Sequence, residues 1–371
     1  MRFPEFSEEW ERSSLGVVFC KVENGLTYDP NNSEGLPVTR IETISDRSIN
    51  YKRVGYAKDD GKLSKYKMEP GDILFSHINS LKHIGKTAYY DGEHPLYHGM
   101  NLLLLRTTNE ESARFLFYQL NTSRFLHRCQ VLANQAVNQA SINTRELKGI
   151  TLHKPSIKEQ IKIADFISLL DNRIATQIKI IEKLESLIKG LCSSLFDKNK
   201  YDSFVRLGDI SEITNGNSDV QDASLSYSDG MYPFFDRSED IKFLPEYLLD
   251  KEAIIYPGEG SEFYPRYYNG KFALHQRCYA IYDIAPNFAT RYLYFFCKTQ
   301  NSYFVRNAVG STVASLRLDT FKRLNIPNIP IELQKTYVQL LDKIETKIVD
   351  NKTVLKKYEE QKRYLLSNLF I

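Results

Sequence analysis

Two stretches of this chain carry one hydrophobic pattern at a fixed separation. Between 156 and 196, Ile167, Ile174, Ile181, Ile188 and Leu195 recur every seven residues, and Leu170, Leu184 and Leu191 fall three places after the first, third and fourth of them. An apolar seam of this period, kept for about four to five heptads, specifies a helix that packs lengthwise on another helix. Shifted by 174 residues, the seam returns as Leu341, Ile348, Leu355, Lys362 and Leu369, with Ile344, Asn351, Tyr358 and Leu365 between them. Both copies turn polar at the same place, Gln177 and Asn351. Both end in Leu-Phe, at Phe196 and Phe370. Both follow a proline-containing lead-in that carries a glutamine, "KPSIKEQ" with Gln160 and "IPNIPIELQ" with Gln334, and proline just ahead of a helix makes a natural start. Two unrelated surface helices would have no reason to share offset, break and ending. The pattern reads as a duplicated chain whose two long helices pack on each other.

Each seam spans 37 residues counted from its glutamine to its phenylalanine, a rod of about 55 Å. If the rods lie antiparallel about a pseudo-twofold axis, equivalent residues meet only near the midpoints. Gln177 and Asn351 lie one residue from those midpoints, so the two amides are expected to face each other. Such a pair costs stability and fixes register.

The remaining segments repeat more loosely. "LGVVFCKVENG" from Leu15 parallels "LGDISEITNGN" from Leu207. "RFLFYQLNTSRFL" (114–126) parallels "RYLYFFCKTQNSYF" (291–304), each patterned as one aromatic helix. Between them, "GDILFSHINSLKHIGKTAYY" and "EAIIYPGEGSEFYPRYYNGKFALH" each read as strand, turn-rich loop, strand. The expected architecture is α+β: two similar domains, 1–154 and 198–326, with spacer helices at 155–197 and 327–371. Loops that diverge on a shared frame suggest two domains recognising different things.

Composition sets limits on function. Of 371 residues, 42% are hydrophobic and 12% aromatic, enough for folded cores. No apolar run approaches the roughly 20 residues that span a bilayer, "MRFPEFSEEWER" lacks the apolar region of a signal peptide, and five scattered cysteines without metal spacing suit a reducing cytoplasm. The net charge of +3 is no nucleic-acid signature; positive charge would have to be local or supplied by a partner.

Several motifs together resemble one family. "RFPEFSEEWE" (2–11), Glu159-Gln160, "LLDNRI" (169–174) and "LESLIKGLCSSLF" (184–196) come first, followed by "LQKTYVQLLDKIETKI" (333–348) and "YLLSNLF" (364–370). In order and spacing they are similar to the specificity subunits of type I restriction-modification systems, over the whole chain. Leu333 departs from the pattern, standing where Glu159 stands in the first repeat. The resemblance implies two target recognition domains, each reading one half of a split, asymmetric DNA site, separated by two antiparallel helices. It also implies partners: double-stranded DNA, two adenine-methylating subunits and two translocase/nuclease subunits. The chain itself would be non-catalytic and hold no cofactor or metal, with S-adenosylmethionine, ATP and Mg bound by the partners.

Two other classes compete with this one. A self-contained methyltransferase or nuclease would need an Asn/Asp-Pro-Pro-aromatic loop and a glycine-rich cofactor turn. The chain has no Pro-Pro, and Pro257-Gly258-Glu259-Gly260 precedes no nucleotide-binding helix. His77, His83, His94 and His98 lack the spacing of a metal site. A coiled-coil adaptor that binds no DNA would explain the seam but not the amide-rich and aromatic loops.

Base edges are read by Arg, Lys, Asn, Gln, Ser and Thr, and phosphates by basic groups and hydroxyls. In the first domain the candidates are Ser76, His77, Asn79, Lys82, His83 and Lys86, together with Asn134, Gln135, Asn138 and Gln139. In the second they are Ser261, Tyr264, Arg266, Tyr267, Lys271, His275, Gln276, Arg277, Ser311 and Thr312. Phe166, Ile180 and Leu187 lie off the seam and are expected to face the methylating subunits.

Overall fold

The computed structural model describes residues 2–370 except 46, 60, 62, 137, 138 and 311. Two compact units emerge. Unit 1 is Met1–Thr176 with Val354–Ile371, and unit 2 is Gln177–Thr353. Two long helices, Ile157–Leu195 and Ile331–Asn368, each contribute to both units. No described helix is long and apolar enough to cross a membrane.

The seam positions are all buried or half-buried, as the seven-residue period requires. Within unit 1 the Arg173 guanidinium lies 6.0 Å from the Tyr358 ring, and Ile163, Ile167 and Leu170 share a core with Leu365 and Leu369. Within unit 2 Gln177 meets Asn351, while Leu191 and Leu195 share a core with Leu341 and Tyr337. In both units, therefore, the helices run antiparallel. Lys362, the departure from the apolar seam, forms an ion pair with Asp171 on the facing helix.

Unit 1 is built on a four-stranded antiparallel sheet in the order Phe19–Asn24, Leu103–Thr107, Ile73–Phe75, Thr87–Tyr89. Unit 2 has a six-stranded sheet in the order Glu212–Asn215, Cys278–Tyr282, Leu249–Pro257, Arg266–Leu274, Tyr232–Phe235, Lys242–Leu244. Its neighbours are antiparallel except for the parallel pair Tyr232–Phe235 and Arg266–Leu274.

The joints beneath these sheets repeat closely. Leu15 N donates to Ile150 O and Leu207 N to Leu324 O, both at 2.9 Å. A Cβ on Gly16 would lie 3.2 Å from Lys148 Cβ, and one on Gly208 2.9 Å from Lys322 Cβ, so glycine keeps each contact close. Gln160 Oε1 accepts from Ser112 N at 3.0 Å, and its Nε2 donates to Pro155 O and to Glu111 Oε2. Gln334 Oε1 accepts from Ala289 N at 2.9 Å, and its Nε2 donates to Ile329 O and Asn287 O. Ser112 and Ala289 are the N-caps of the aromatic helices Ala113–Leu120 and Thr290–Lys298. Both buried glutamines thus satisfy a helix-terminal N–H that would otherwise be orphaned.

Each expected aromatic helix is in fact two: Ala113–Leu120 followed by Ser123–Leu132, and Thr290–Lys298 followed by Asn301–Asn307. The first breaks where Asn121 Nδ2 turns to Thr87 Oγ1 and Phe117 O, both at 2.7 Å, and Thr122 Oγ1 caps the next helix through Phe125 N. Polar side chains that compete for backbone groups end helices in this way.

Glu159 and Leu333 mark a difference between the repeats. Glu159 is 1% exposed and takes a two-pronged pair from Arg2, Nε–Oε1 at 2.8 Å and Nη2–Oε2 at 2.7 Å. Leu333 is 39% exposed.

Candidate nucleic-acid interface

In unit 1 the loop 76–86 is closed by Ser76 N to Lys86 O at 2.8 Å and Gly85 N to Ser76 O at 2.9 Å, with Ile84 buried beneath. Lys82, His83 and Lys86 are exposed. Partial burial, then the charges of Lys86 and Lys82, hold His83 below its ordinary value. Ser76 and His77 turn inward and belong to the frame. Ser76 Oγ accepts from Asn79 Nδ2 at 3.1 Å, and the His77 carbonyl accepts from Ile142 N at 2.9 Å. His77 Nε2 lies 3.4 Å from Asn24 Nδ2, and its Nδ1 is buried without a partner among the described residues. Burial first, then the neighbouring His98, lowers its pKa to about 4, so it is neutral at pH 7.

The second candidate stretch joins this loop. Strands Asn134–Ala136, Gln139–Ser141 and Ile78–Asn79 form one small antiparallel sheet, with Ala140 opposite Asn79. Asn79, Asn134, Gln135 and Gln139 therefore share one element, although more than fifty residues separate its parts. Asn138 lies outside the described residues.

In unit 2 the loops around 258–260 and 309–316 come together. Gly260 N donates to Ala314 O at 3.0 Å and Leu316 N to Gly258 O at 2.8 Å. Thr312 is exposed on the second loop; Ser311 lies outside the described residues. Next to them is the turn His275-Gln276-Arg277, with Gln276 and Arg277 exposed. This turn, Gly258, Glu259, Asp219 and Asp236 line a cavity of about 230 Å³. Ser261 and Tyr264 are exposed nearby in sequence, with the Tyr264 hydroxyl accepting from Asn301 Nδ2 at 3.4 Å.

Arg266 lies beside that turn: it donates to the carbonyl of Ser238, a residue itself hydrogen-bonded to Asp236 in the cavity wall, and its charge acts on the Cys278 thiol next to Arg277. Tyr267 and Lys271 do not gather with it. Tyr267 Oη donates to Glu252 Oε1 at 2.5 Å, its ring lies under the Arg291 guanidinium, and burial raises its pKa. Lys271 sits over Tyr247 at 4.8 Å. Strand alternation puts Tyr267 and Lys271 on the face opposite Arg266.

On the helices, Gln177 Nε2 donates to the Asn351 side-chain oxygen and to its carbonyl, the latter at 3.3 Å. Phe166 is partly exposed and meets Phe3 edge-on at 5.8 Å. Ile180 and Leu187 are exposed, as are Leu340 and Val354. The last two occupy the repeat positions of Phe166 and Ile180, a correspondence the 174-residue offset could have exposed. Sequence reasoning also missed Asp219 and Glu259, whose charge sign hid them from a search for DNA readers. Among the described residues no group of three or more His, Cys, Asp or Glu is placed to hold a metal ion.

The profile of the Type I restriction modification DNA specificity domain matches this sequence twice, over residues 7–186 and 200–359. The chain belongs to that family. Each match covers the segment that precedes one long helix and most of that helix. The chain is 42% identical over 217 residues to a protein of Methanocaldococcus jannaschii named as the MjaX specificity subunit of a type I restriction enzyme, covering 56% of this chain and 51% of that one. It is 24% identical over 195 residues to the StySPI specificity subunit of Salmonella potsdam, covering 51% and 42%. The chain thus spans about half the length of the curated relatives it matches. Its fold matches the crystal structure of the type I S subunit from M. genitalium at a TM-score of 0.68 and 15% identity, over 100% of this chain and 99% of that one.

Proposed function

We propose that this specificity-family chain is the DNA-reading subunit of a type I restriction-modification complex and catalyses no step itself. Unit 1 reads one half of a split, asymmetric site and unit 2 the other. In unit 1 the readers come from Asn79, Lys82, His83, Lys86, Asn134, Gln135 and Gln139. In unit 2 they come from the cluster at Gln276, Arg277 and Thr312. The observation that carries this reading is the contrast inside the repeat. The joints recur in both units with the same geometry, although their parts stand 174 to 192 residues apart, while the exposed polar loops above them differ in strand number, length and residue type.

Two methylating subunits dock on the exposed apolar side chains of the long helices, Phe166 and Ile180 with their repeat counterparts Leu340 and Val354, and Leu187. Translocase/nuclease subunits complete the restriction complex. S-adenosylmethionine, ATP and Mg serve chemistry in those partners. A formal charge of only +3 fits a reader that relies on partners for much of its phosphate contact.

The test is exchange of 1–154 for the corresponding segment of a relative, co-expression with the methylating subunit, and methylation mapping of the host genome. One half of the methylated motif should change and the other should stay. Change in both halves, or methyl transfer by the purified chain alone, would overturn the proposal.

A further inference from the structure

The turn His275-Gln276-Arg277 in unit 2 is held more tightly than an exposed loop needs. Cys278 N donates to His275 O at 2.8 Å and Gln276 N to Ser218 O at 3.0 Å. Arg277 N donates to His275 Nδ1 at 3.2 Å. A Cβ on Gly258 would fall 1.9 Å from the Arg277 carbonyl oxygen, so only glycine lets the two backbones approach this closely. The side chains carried on this fixed backbone are nevertheless open to solvent, with that of Arg277 62% exposed.

Each of the two is tied to a carboxylate. Arg277 Nη1 donates to Glu259 Oε1 at 2.5 Å, and Gln276 Nε2 donates to Asp219 Oδ2 at 3.2 Å. The Glu259 side chain is only 17% exposed. It accepts from Ser315 Oγ at 3.4 Å, and its backbone bridges to Ser315.

We infer that Glu259 and Asp219 are positioning residues that pre-set Arg277 to read a guanine and Gln276 to read an adenine in the half-site of unit 2. This rests on the DNA-reading function proposed above. A guanidinium carries five N–H donors. Glu259 engages one, at Nη1, which leaves the Nε/Nη2 edge for O6 and N7 of guanine. Asp219 engages one N–H of the Gln276 amide, leaving its second N–H and its oxygen to match N7 and N6 of adenine. Holding a long side chain before the DNA arrives lowers the ordering cost of each hydrogen bond it makes there.

The cavity carries balanced charge: Asp219, Asp236 and Glu259 line it together with Arg237 and Arg277, with Asp236 paired to Lys242 and Glu259 to Arg277. Arg277 therefore meets DNA as an oriented fork whose charge already has a partner. The matching turn of unit 1 differs. Asn24 Nδ2 donates to Met100 O at 2.8 Å as Asn215 Nδ2 donates to Gln276 O at 3.3 Å, which sets Met100 opposite Gln276 and Asn101 opposite Arg277. Methionine makes no paired hydrogen bonds to a base, and asparagine carries no guanidinium fork.

The experiment uses the full chain assembled with its methylating subunits. Genome methylation mapping is combined with DNA binding measured against salt, for wild type and for Glu259→Gln, Arg277→Lys and Arg277→Ala. The unit 2 half-site is the one that changes when 198–326 is exchanged. That half-site should contain a guanine. Glu259→Gln should relax discrimination at that one base by about tenfold, leave the other half-site intact and leave the salt slope of log K unchanged, because no phosphate contact is lost. Arg277→Lys keeps the charge without the fork and should relax the same base. Arg277→Ala should abolish the preference there.

A half-site without guanine, or unchanged stringency in Glu259→Gln and Arg277→Lys, would overturn the inference. So would an Arg277→Ala complex that binds all sequences more weakly with a salt slope lower by about one, since Arg277 would then hold a phosphate. Absence of sequence-specific methylation by the wild-type complex would instead count against the proposed function. Specific methylation untouched by these variants would count against this inference alone.

Discussion

Gln160 in unit 1 and Gln334 in unit 2 make the same kind of hydrogen bonds with the same buried amide, and their acceptors Pro155 and Ile329 stand at the same offset. The turns after Gly99 and His275 share their asparagine support but carry Met100-Asn101 in one unit and Gln276-Arg277 in the other. Joints are constrained because a buried polar group without a partner is costly. An exposed turn costs little to change, so its residues are free to follow the ligand. The comparison separates what holds each unit together from what each unit can recognise.

The largest expected difference between the units is in acid. Of the seven histidines in the chain, six lie in unit 1. His77 and His98, 6% and 2% exposed, are lowered to about 4, chiefly by burial. The unfolded chain takes up a proton on each near pH 6.5, while the folded unit resists until about pH 4. The stability they contribute is complete above 6.5 and is lost as pH falls from 6.5 through about 4, at roughly 3 kcal/mol per histidine. In unit 2, burial alone would raise Glu345 and Asp236, but ion pairs outweigh it: Lys298 and Arg291 for Glu345, and Lys242, with hydrogen bonds from Ser238, for Asp236. Both carboxyls are held below their usual values. Their contribution falls only through the carboxylate range. Trp10, the single tryptophan, packs edge-on against Phe115 at 5.9 Å in unit 1, so its fluorescence reports that unit, and hydrogen exchange in strand Leu249–Pro257 reports the other. Unit 1 should open first on acidification; simultaneous loss below pH 4.5 would break the contrast.

Gln160→Ala and Gln334→Ala should each cost about 3 kcal/mol, each in its own unit, read by the same two probes in urea. If both variants weakened one unit, the joints would not be equivalent. A smaller effect sharpens the point where the repeats differ. Glu159→Leu leaves Arg2 without its acceptor and should cost about 2 kcal/mol, while Leu333→Glu, at a half-open position, should change stability by less than about 0.5 kcal/mol.

Much of the frame was legible because it is periodic. A seven-residue seam states which helix face is buried, and a constant offset carries that statement from Ile167 to Leu341. The meeting of Gln177 with Asn351 required only the further geometric fact that antiparallel copies coincide at their midpoints. The break after Leu120 was not legible, because it depends on Asn121 reaching Thr87, a partner 34 residues away. The inward turn of Ser76 and His77 was hidden for the same reason, since their loop is shaped by Asn24 and Ile142. Lys82, Lys86 and Arg277 stood out by residue type. Glu259 did not, because its part depends on Arg277, 18 residues further along the chain.

The Gln177–Asn351 contact also restricts how such a chain can grow. Seven residues inserted into Ile157–Leu195 between Gln177 and Leu184 would preserve that helix's own apolar stripe, but would carry Leu184, Leu191 and Leu195 one heptad past their partners. Keeping both the amide contact and the core around Leu341 then requires seven more residues in the facing helix, between Leu341 and Asn351. Helix length in this part of the molecule is therefore a paired quantity, altered by whole heptads on both strands of the pair at once, and a lone insertion or deletion is penalised even where it leaves every local hydrophobic pattern intact.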